Sequence, residues 1–339
     1  MNLVTGATGL VGAHVAFQLL QQHKPVVAIK RHESDVSKTK NLFSYYTSEA
    51  DTLFQKIKWI EADVCDIYSL LDALAGIDNV YHCAGLVSFN SKNIKQMHRI
   101  NVEGTANMVN ACLEKNIKTF CHVSSIATLQ NPDITKLIDE TVYWKSSPQA
   151  SNYAITKYNG EREVWRGIEE GLNAVIVNPG IILGPGFWNQ SSGKLIQTCF
   201  KGNAFYTKGS SAFIDAKDLA ACMIQLIEQK HFNKRFILIE GNYSFKDILS
   251  RLHQSFNKKL PNIEVGRIGL NIGRRLDGIR SFLTGSEQMI TKETVISSLE
   301  QATYKNDLIK KIIGYNFTPF QETIKFVSQC YLSDLKKTE

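Results

Sequence analysis

No apolar run in this 339-residue chain reaches the roughly 18 residues that a membrane-spanning helix requires. Strand-like sequence begins at Asn2, which leaves no room for a signal peptide, so a soluble, cytoplasmic protein is expected. Cysteine is sparse and unpatterned: seven residues, an odd number, with no C-x-x-C pair, read as reduced core residues rather than a disulfide framework. None of the eight histidines falls at i,i+3 or i,i+4 with another ligand on a plausible helix face, so no metal is expected. Charge of one sign does not gather either. Lys and Arg outnumber Asp and Glu 39 to 32, a formal +7 scattered along the chain, which suits a small anionic ligand and speaks against nucleic acid. Internal repeats and low-complexity segments are absent.

What is present is an alternation. Short β-rich runs, "NLVTG", "PVVAIK", "IKWIEA", "NVYHCAG", "KTFCHVSS" and "NAVIVNPG", are each bounded by turn residues and followed by helix-like or loop-like sequence. In "GLVGAHVAFQLLQQHK", Leu10, Val11, Val15, Leu19 and Leu20 recur on one helical face. This is the pattern of an α/β, Rossmann-type doubly wound parallel sheet. The expected division is a dinucleotide-binding domain over 1–178, rejoined by 212–240, and a smaller substrate lobe from 179–211 and 241–339.

The first strand runs into "TGATGLVG". A strand-to-helix turn brings free N–H groups and a positive helix end towards a pyrophosphate, and glycine lets the backbone come close. Gly6, Thr8, Gly9, Leu10, Val11 and Gly12 are therefore the candidate phosphate cradle, although glycines at this spacing could also make only a tight turn. At the end of the second strand an acid usually holds the adenosine ribose, whereas a base accommodates a 2′-phosphate. Lys30 and Arg31 stand there, favouring NADP(H); Glu33 and Asp35 follow closely and leave NAD possible. Asp63 and Val64, after the third strand, are candidates for the adenine edge, with a helix cap as the plainer role for Asp63.

Tyr153 and Lys157 in "SNYAITKYNGERE" lie four apart on one helix face. A cation beside a phenol lowers its pKa from about 10, which makes Tyr153 a usable general acid or base. In "HVSSIAT" a strand ends in Ser124 and Ser125 at the ligand-binding edge of the sheet, where a hydroxyl can donate to a substrate carbonyl.

With "TGATGLVG", "DV" at 63–64, "HCAG" at 82–85, "NVEGT" at 101–105, "VSS" at 123–125, the Tyr153/Lys157 pair and "NPGIILGPG" at 178–186, the chain resembles the extended short-chain dehydrogenase/reductase family, also called the NAD-dependent epimerase/dehydratase family. The resemblance covers residues 2 to about 220. It implies Ser125 as the catalytic serine with Ser124 as fallback, Tyr153 as proton donor, and Lys157 as a second contact to the nicotinamide ribose. It further implies cofactor contacts from Cys83, Ala84 and Gly85, from Asn101, and from Asn178, Pro179, Gly180 and Ile181. Ser125 is followed by "IAT" rather than the Asp-Glu pair of the sugar-nucleotide 4,6-dehydratases. "DETVYW" at 139–144 and the helix at 153–165 look instead like dihydroflavonol reductases and their 3β-hydroxysteroid dehydrogenase-like relatives. That likeness implies hydride exchange between NADP(H) or NAD(H) and one carbonyl or secondary alcohol. It also implies a homodimer paired through the helices at about 94–115 and around Tyr153.

Loops after the strands and the C-terminal lobe should set specificity. Their aromatics, among them Phe89, Trp144 and Phe187, are candidate pocket walls together with Ser125, and suggest an apolar or ring-containing substrate. His82 and His122 lie in strand runs and read as core residues with satisfied nitrogens. "GSEQMITKETVISSL" and "NFTPFQETIKFVSQCYL" read as two closing helices. The basic stretch "GRIGLNIGRRLDGIRSF" reads as a solvated helix face, with a membrane surface or partner as the other option. Two further functions remain in view: a sugar-nucleotide epimerase that keeps NAD tightly bound, and a dinucleotide-sensing regulator without turnover.

Overall fold

A computed structural model describes residues 1–130, 137–286 and 288–338. Twelve strands occur among them: β1 Asn2–Thr5, β2 Val26–Lys30, β3 Ile57–Glu61, β4 Asn79–His82, β5 Thr119–Val123, β6 Ala174–Pro179, β7 Ile181–Leu183, β8 Phe205–Tyr206, β9 Ser210–Asp215, β10 Lys234–Leu238, β11 Gly241–Ser244 and β12 Ile263–Glu264. Seven form one sheet in the order β10-β6-β5-β4-β1-β2-β3. All its pairings are parallel, with Leu3 of β1 opposite both Val27 and Val80. Strands such as β1 and β6 are buried along their whole length, because helices cover both faces and each face needs apolar side chains.

Helices Leu10–Gln21 and Ala216–Glu228 pack on each other and on one face, around Phe17, Leu19, Leu219 and Met223. On the other face Ile67–Ala73, Gly104–Glu114 and Asn152–Glu169 enclose Leu70, Met108, Phe120 and Val164. The chain leaves β1 for β2 and β3 on one side and crosses to β4 on the other. The strand order therefore reverses between β1 and β4, and a crevice opens at their carboxyl ends.

The second lobe has two small sheets, β11-β9-β7 and β12-β8, with helices Ser191–Lys201, Phe245–Ser255 and Phe320–Thr338 around Ile196, Phe213, Leu252 and Phe320. Two expectations change here. The segment after 241 does not stay in that lobe: helix Asp307–Ile313 packs on β10 and on Ala216–Glu228, with Ile309 fully buried in the first core. Asp218 ties this return down, accepting from Tyr315 Oη, Thr318 N and Thr318 Oγ1. Of the two closing helices, Phe320–Thr338 follows Pro319 as expected. The other shortens to Lys292–Ser297, because Thr291 and Thr294 form a capping box that starts it late.

Candidate active site

The glycine turn occupies the crevice. Gly6 has φ +65°, and a Cβ there would stand 2.8 Å from the Cys83 and Ala84 backbone, so the turn lies directly on the end of β4. Thr5 Oγ1 fastens the two, receiving the Ala84 N–H at 3.0 Å. Gly12 is equally constrained from within, its Cβ position being 2.4 Å from the Gly6 carbonyl oxygen. Gly9 differs. A Cβ there would meet only the Gly6 oxygen at 3.4 Å, so the fold tolerates a side chain and only an approaching ligand excludes one. Gly9 is also the N-cap of Leu10–Gln21, without a capping side chain, and the first turn carries no acid. Helical bonding starts from Ala13 N to Gly9 O, which leaves the amides of Leu10, Val11 and Gly12 pointing out of the helix end. The cradle thus fits a dinucleotide pyrophosphate; Thr8 is half-buried beside it.

At the end of β2, Lys30 is half-buried and Arg31 exposed. Asp35 is occupied at the start of the next helix, where its Oδ1 accepts the Ser37 N–H at 2.8 Å. Asp63 closes its own turn by accepting from Cys65 N at 2.9 Å, and the cap of the following helix is Asp66 instead. Val64 is buried under helix Gly104–Glu114, where its methyl group would meet a Cβ on Gly104 at 2.8 Å.

The chemical groups come together at the ends of β5 and β6. Ser151 caps helix Asn152–Glu169 by accepting from Ala154 N at 3.0 Å, which places Tyr153 in the first turn. Glu293, from the far end of the chain, grips the same turn through the Asn152 backbone N–H at 3.2 Å and its side-chain amide. The Ser125 hydroxyl lies beside the Tyr153 phenol, and Phe89 meets the phenol ring edge-on at 6.0 Å. Lys157, 5% exposed, donates to the Val123 carbonyl at 2.6 Å. Burial pushes its pKa down to about 8, with Glu161 opposing, so the ammonium stays charged at neutral pH. The expectation that a neighbouring cation depresses the Tyr153 pKa is reversed. Burial raises it, and the nearby Ser125 hydroxyl only partly offsets that. Tyr153 is therefore a phenol at neutral pH.

Ser124 points the other way. Its Oγ donates to Glu161 Oε2 at 2.6 Å, at a buried centre that also receives Thr128 Oγ1 at 2.8 Å and Asn178 Nδ2 at 2.9 Å. Arg235 and Trp165 reach the other oxygen, Oε1, at 3.4 and 3.3 Å. Asn178 is thus turned into this cluster rather than towards the crevice, and it also holds the Ser125 carbonyl at 3.1 Å. Its neighbours continue the scaffold: Pro179 is buried in β6, the Gly180 Cβ position is 2.4 Å from the Ala212 oxygen, and Ile181 opens β7. Nothing in "YNGERE" marks Glu161 apart from an ordinary helix acid; its Oε2 faces Ser124 and Thr128 only because the strand ends there.

Asn101 is also spent inside the protein. It sits in a π-helical stretch, Arg99–Glu103, exchanging two hydrogen bonds with the Leu86 backbone and donating to Thr156 Oγ1. The helices touch there because Gly160 has no side chain; its Cβ would stand 2.2 Å from the Asn101 carbonyl oxygen. Asn101 therefore positions the loop after β4, which leaves Gly85 exposed in the crevice and Cys83 and Ala84 half-buried. Of the other aromatics, Phe187 is 3% exposed and packed within the first core. Trp144 stacks on Tyr158 at 4.8 Å, about 140° around the helix from Tyr153. His82 is satisfied by Thr5 and Thr105, as expected, but His122 has no partner for either nitrogen. Burial, reinforced by nearby Lys157, holds both rings neutral.

A doubly wound parallel sheet with a phosphate cradle at its switch point and a Ser-Tyr-Lys set beyond β5 defines a dinucleotide-binding α/β enzyme. The chain belongs to the NAD dependent epimerase/dehydratase family, the extended short-chain dehydrogenases/reductases, whose sequence model matches residues 2–238. Cinnamoyl-CoA reductase 1 of Petunia hybrida is 26% identical over 264 residues, covering 75% of this chain and 76% of its own. A Synechocystis sp. protein assigned by name to the dihydroflavonol 4-reductases is 28% identical over 258 residues, covering 74% and 70%. The crystal structure of gox2253, 26% identical, superposes with a TM-score of 0.81 over 98% of each chain.

Proposed function

We propose that the protein is an NADP(H)-dependent oxidoreductase that reduces the carbonyl of an apolar or ring-containing small molecule, or oxidises the matching secondary alcohol. The observation that carries this reading is the placement of Ser125 beside the phenol of Tyr153, in the helix whose Lys157 is fixed on the Val123 carbonyl two residues before Ser125. The bound nicotinamide would supply the hydride. Ser125 polarises the carbonyl oxygen, Tyr153 gives its proton to the forming alkoxide, and Lys157 stabilises the phenolate left behind. Names of the relatives that carry "reductase" agree with this direction. Incubating the purified protein with NADPH and a panel of aromatic and alicyclic ketones and aldehydes tests it. Substrate-dependent loss of nicotinamide absorbance is expected; none across the panel, with epimerisation of a nucleotide sugar and NAD retained through purification, would favour the epimerase.

Two outcomes follow from the same residues. Replacing Lys30 and Arg31 with Ala should weaken NADPH about tenfold or more and NADH by no more than about twofold, measured by fluorescence titration. Equal losses would reject these side chains as the 2′-phosphate site. Because Tyr153 must be deprotonated to accept a proton, alcohol oxidation should rise with pH above neutrality while carbonyl reduction does not. Parallel pH–rate profiles in the two directions would contradict that role. A homodimer through the helices around 94–114 and 152–169 is part of this proposal, with Ile94 and Ile155 exposed on them; a monomer by light scattering would remove it.

A further inference from the structure

Helix Arg267–Thr284 is amphipathic in the wrong sense for a soluble surface. At about 100° per residue, Phe282, Ile268, Ile279, Ile272, Leu283 and Leu276 share an arc of about 120°. All six are exposed, Phe282 at 88% and Ile268 at 81%, and no residue of the helix is buried. The inward side is the polar one: Asp277 Oδ2 accepts from Met289 N and Ile290 N, and Gln288 donates to the Arg274 carbonyl. The helix face expected to be solvated is exposed, and it carries these six apolar side chains as well as arginines. The strand pair leading into it adds two more apolar side chains, since Phe205 and Ile263 are register partners and both about half exposed. A contiguous stripe of this kind marks an interaction surface.

Charge chooses the occupant. Arg275 falls inside the apolar arc, and Arg267 and Arg280 border it, all three exposed. The helix has one acid, Asp277, already engaged on the opposite side with Arg280 and the 289–290 amides. Two copies of this face brought together would oppose arginine with arginine and offer no carboxylate from the helix. An anionic lipid surface answers both features: acyl chains take the isoleucines and Phe282, and headgroup phosphates take the guanidinium groups. At 18 residues the helix is about 27 Å long, and no helix among the described residues is apolar enough to cross a membrane, so it would lie along the surface.

We propose that Arg267–Thr284 docks the protein on the surface of an anionic phospholipid bilayer, with the Ile268–Leu283 face inserted among the acyl chains and Arg267, Arg275 and Arg280 at the headgroups. The test is flotation of the full-length protein with phosphatidylcholine vesicles, alone or with roughly one-third phosphatidylglycerol. The wild type should float with the anionic vesicles and bind neutral ones about tenfold or more weakly. Ile272→Glu/Ile279→Glu should abolish flotation, and Arg267→Gln/Arg275→Gln should cut it about tenfold, with unchanged circular dichroism and melting. Since these side chains face outward, the variants keep the fold. Three results would overturn the proposal: a folded wild type that fails to float, flotation untouched by Ile272→Glu/Ile279→Glu, or self-association in solution that this double variant abolishes.

Discussion

Tyr153→Phe is expected to bind NADPH within a few fold of the wild type and to lose on the order of a hundredfold or more in turnover. The substitution removes one oxygen and leaves the ring, so the edge-on contact with Phe89 persists and the first turn keeps its Ser151 cap. What disappears is the proton that the half-buried phenol holds at neutral pH beside Ser125. A group that acts only in proton transfer affects turnover far more than affinity. Lys157→Ala should behave differently: it empties a buried site and strips the Val123 carbonyl of its donor, so affinity and rate should fall together. Steady-state kinetics beside cofactor titration separates the two patterns. An active Tyr153→Phe enzyme would leave only the cofactor site standing.

The second large effect is on stability. Glu161→Ala should cost about 3–5 kcal/mol, read from the urea midpoint. The carboxylate is 1% exposed and accepts from Ser124, Thr128 and Asn178 on one oxygen and from Arg235 and Trp165 on the other. Removing it leaves the buried Ser124 hydroxyl without its acceptor and takes the paired carboxylate from the Arg235 cation, whose side chain is 11% exposed and keeps only the Glu140 and Val142 carbonyls. Glu161→Gln should cost less, because one oxygen remains. Turnover should drop in both variants, since Asn178 also holds the Ser125 carbonyl and Ser124 is its chain neighbour. A Glu161→Ala protein with wild-type stability would mean that the cluster reorganises around water.

The sheet was legible because strands buried on both faces read as unbroken apolar runs, and the cradle because glycine recurs where a strand meets a helix. The Tyr153/Lys157 pair was legible because a helix fixes its own geometry. What escaped depends on partners far along the chain. The resemblance offered Asn101 as a cofactor contact, and nothing in its sequence showed that a π-helical turn and the missing side chain of Gly160 bring it to Leu86 and Thr156. Phe187 is an aromatic in a loop, and loop sequence alone does not distinguish a pocket wall from a core plug. Helix Arg267–Thr284 announced its stripe through periodicity, yet periodicity does not say which side meets the protein. His122 sits in an apolar run, where burial was evident and the lack of hydrogen-bond partners was not.

The proposed reaction transfers a hydride directly to a carbonyl carbon while Tyr153 supplies the proton. Turnover with NADPH deuterated at the transferable position of the nicotinamide, followed by mass spectrometry of the alcohol formed, tests it most directly. One deuterium is expected on the carbinol carbon, with the hydroxyl proton drawn from solvent and the yield collapsing in Tyr153→Phe. An alcohol free of deuterium, or labelled product formed as readily by Tyr153→Phe, would contradict it.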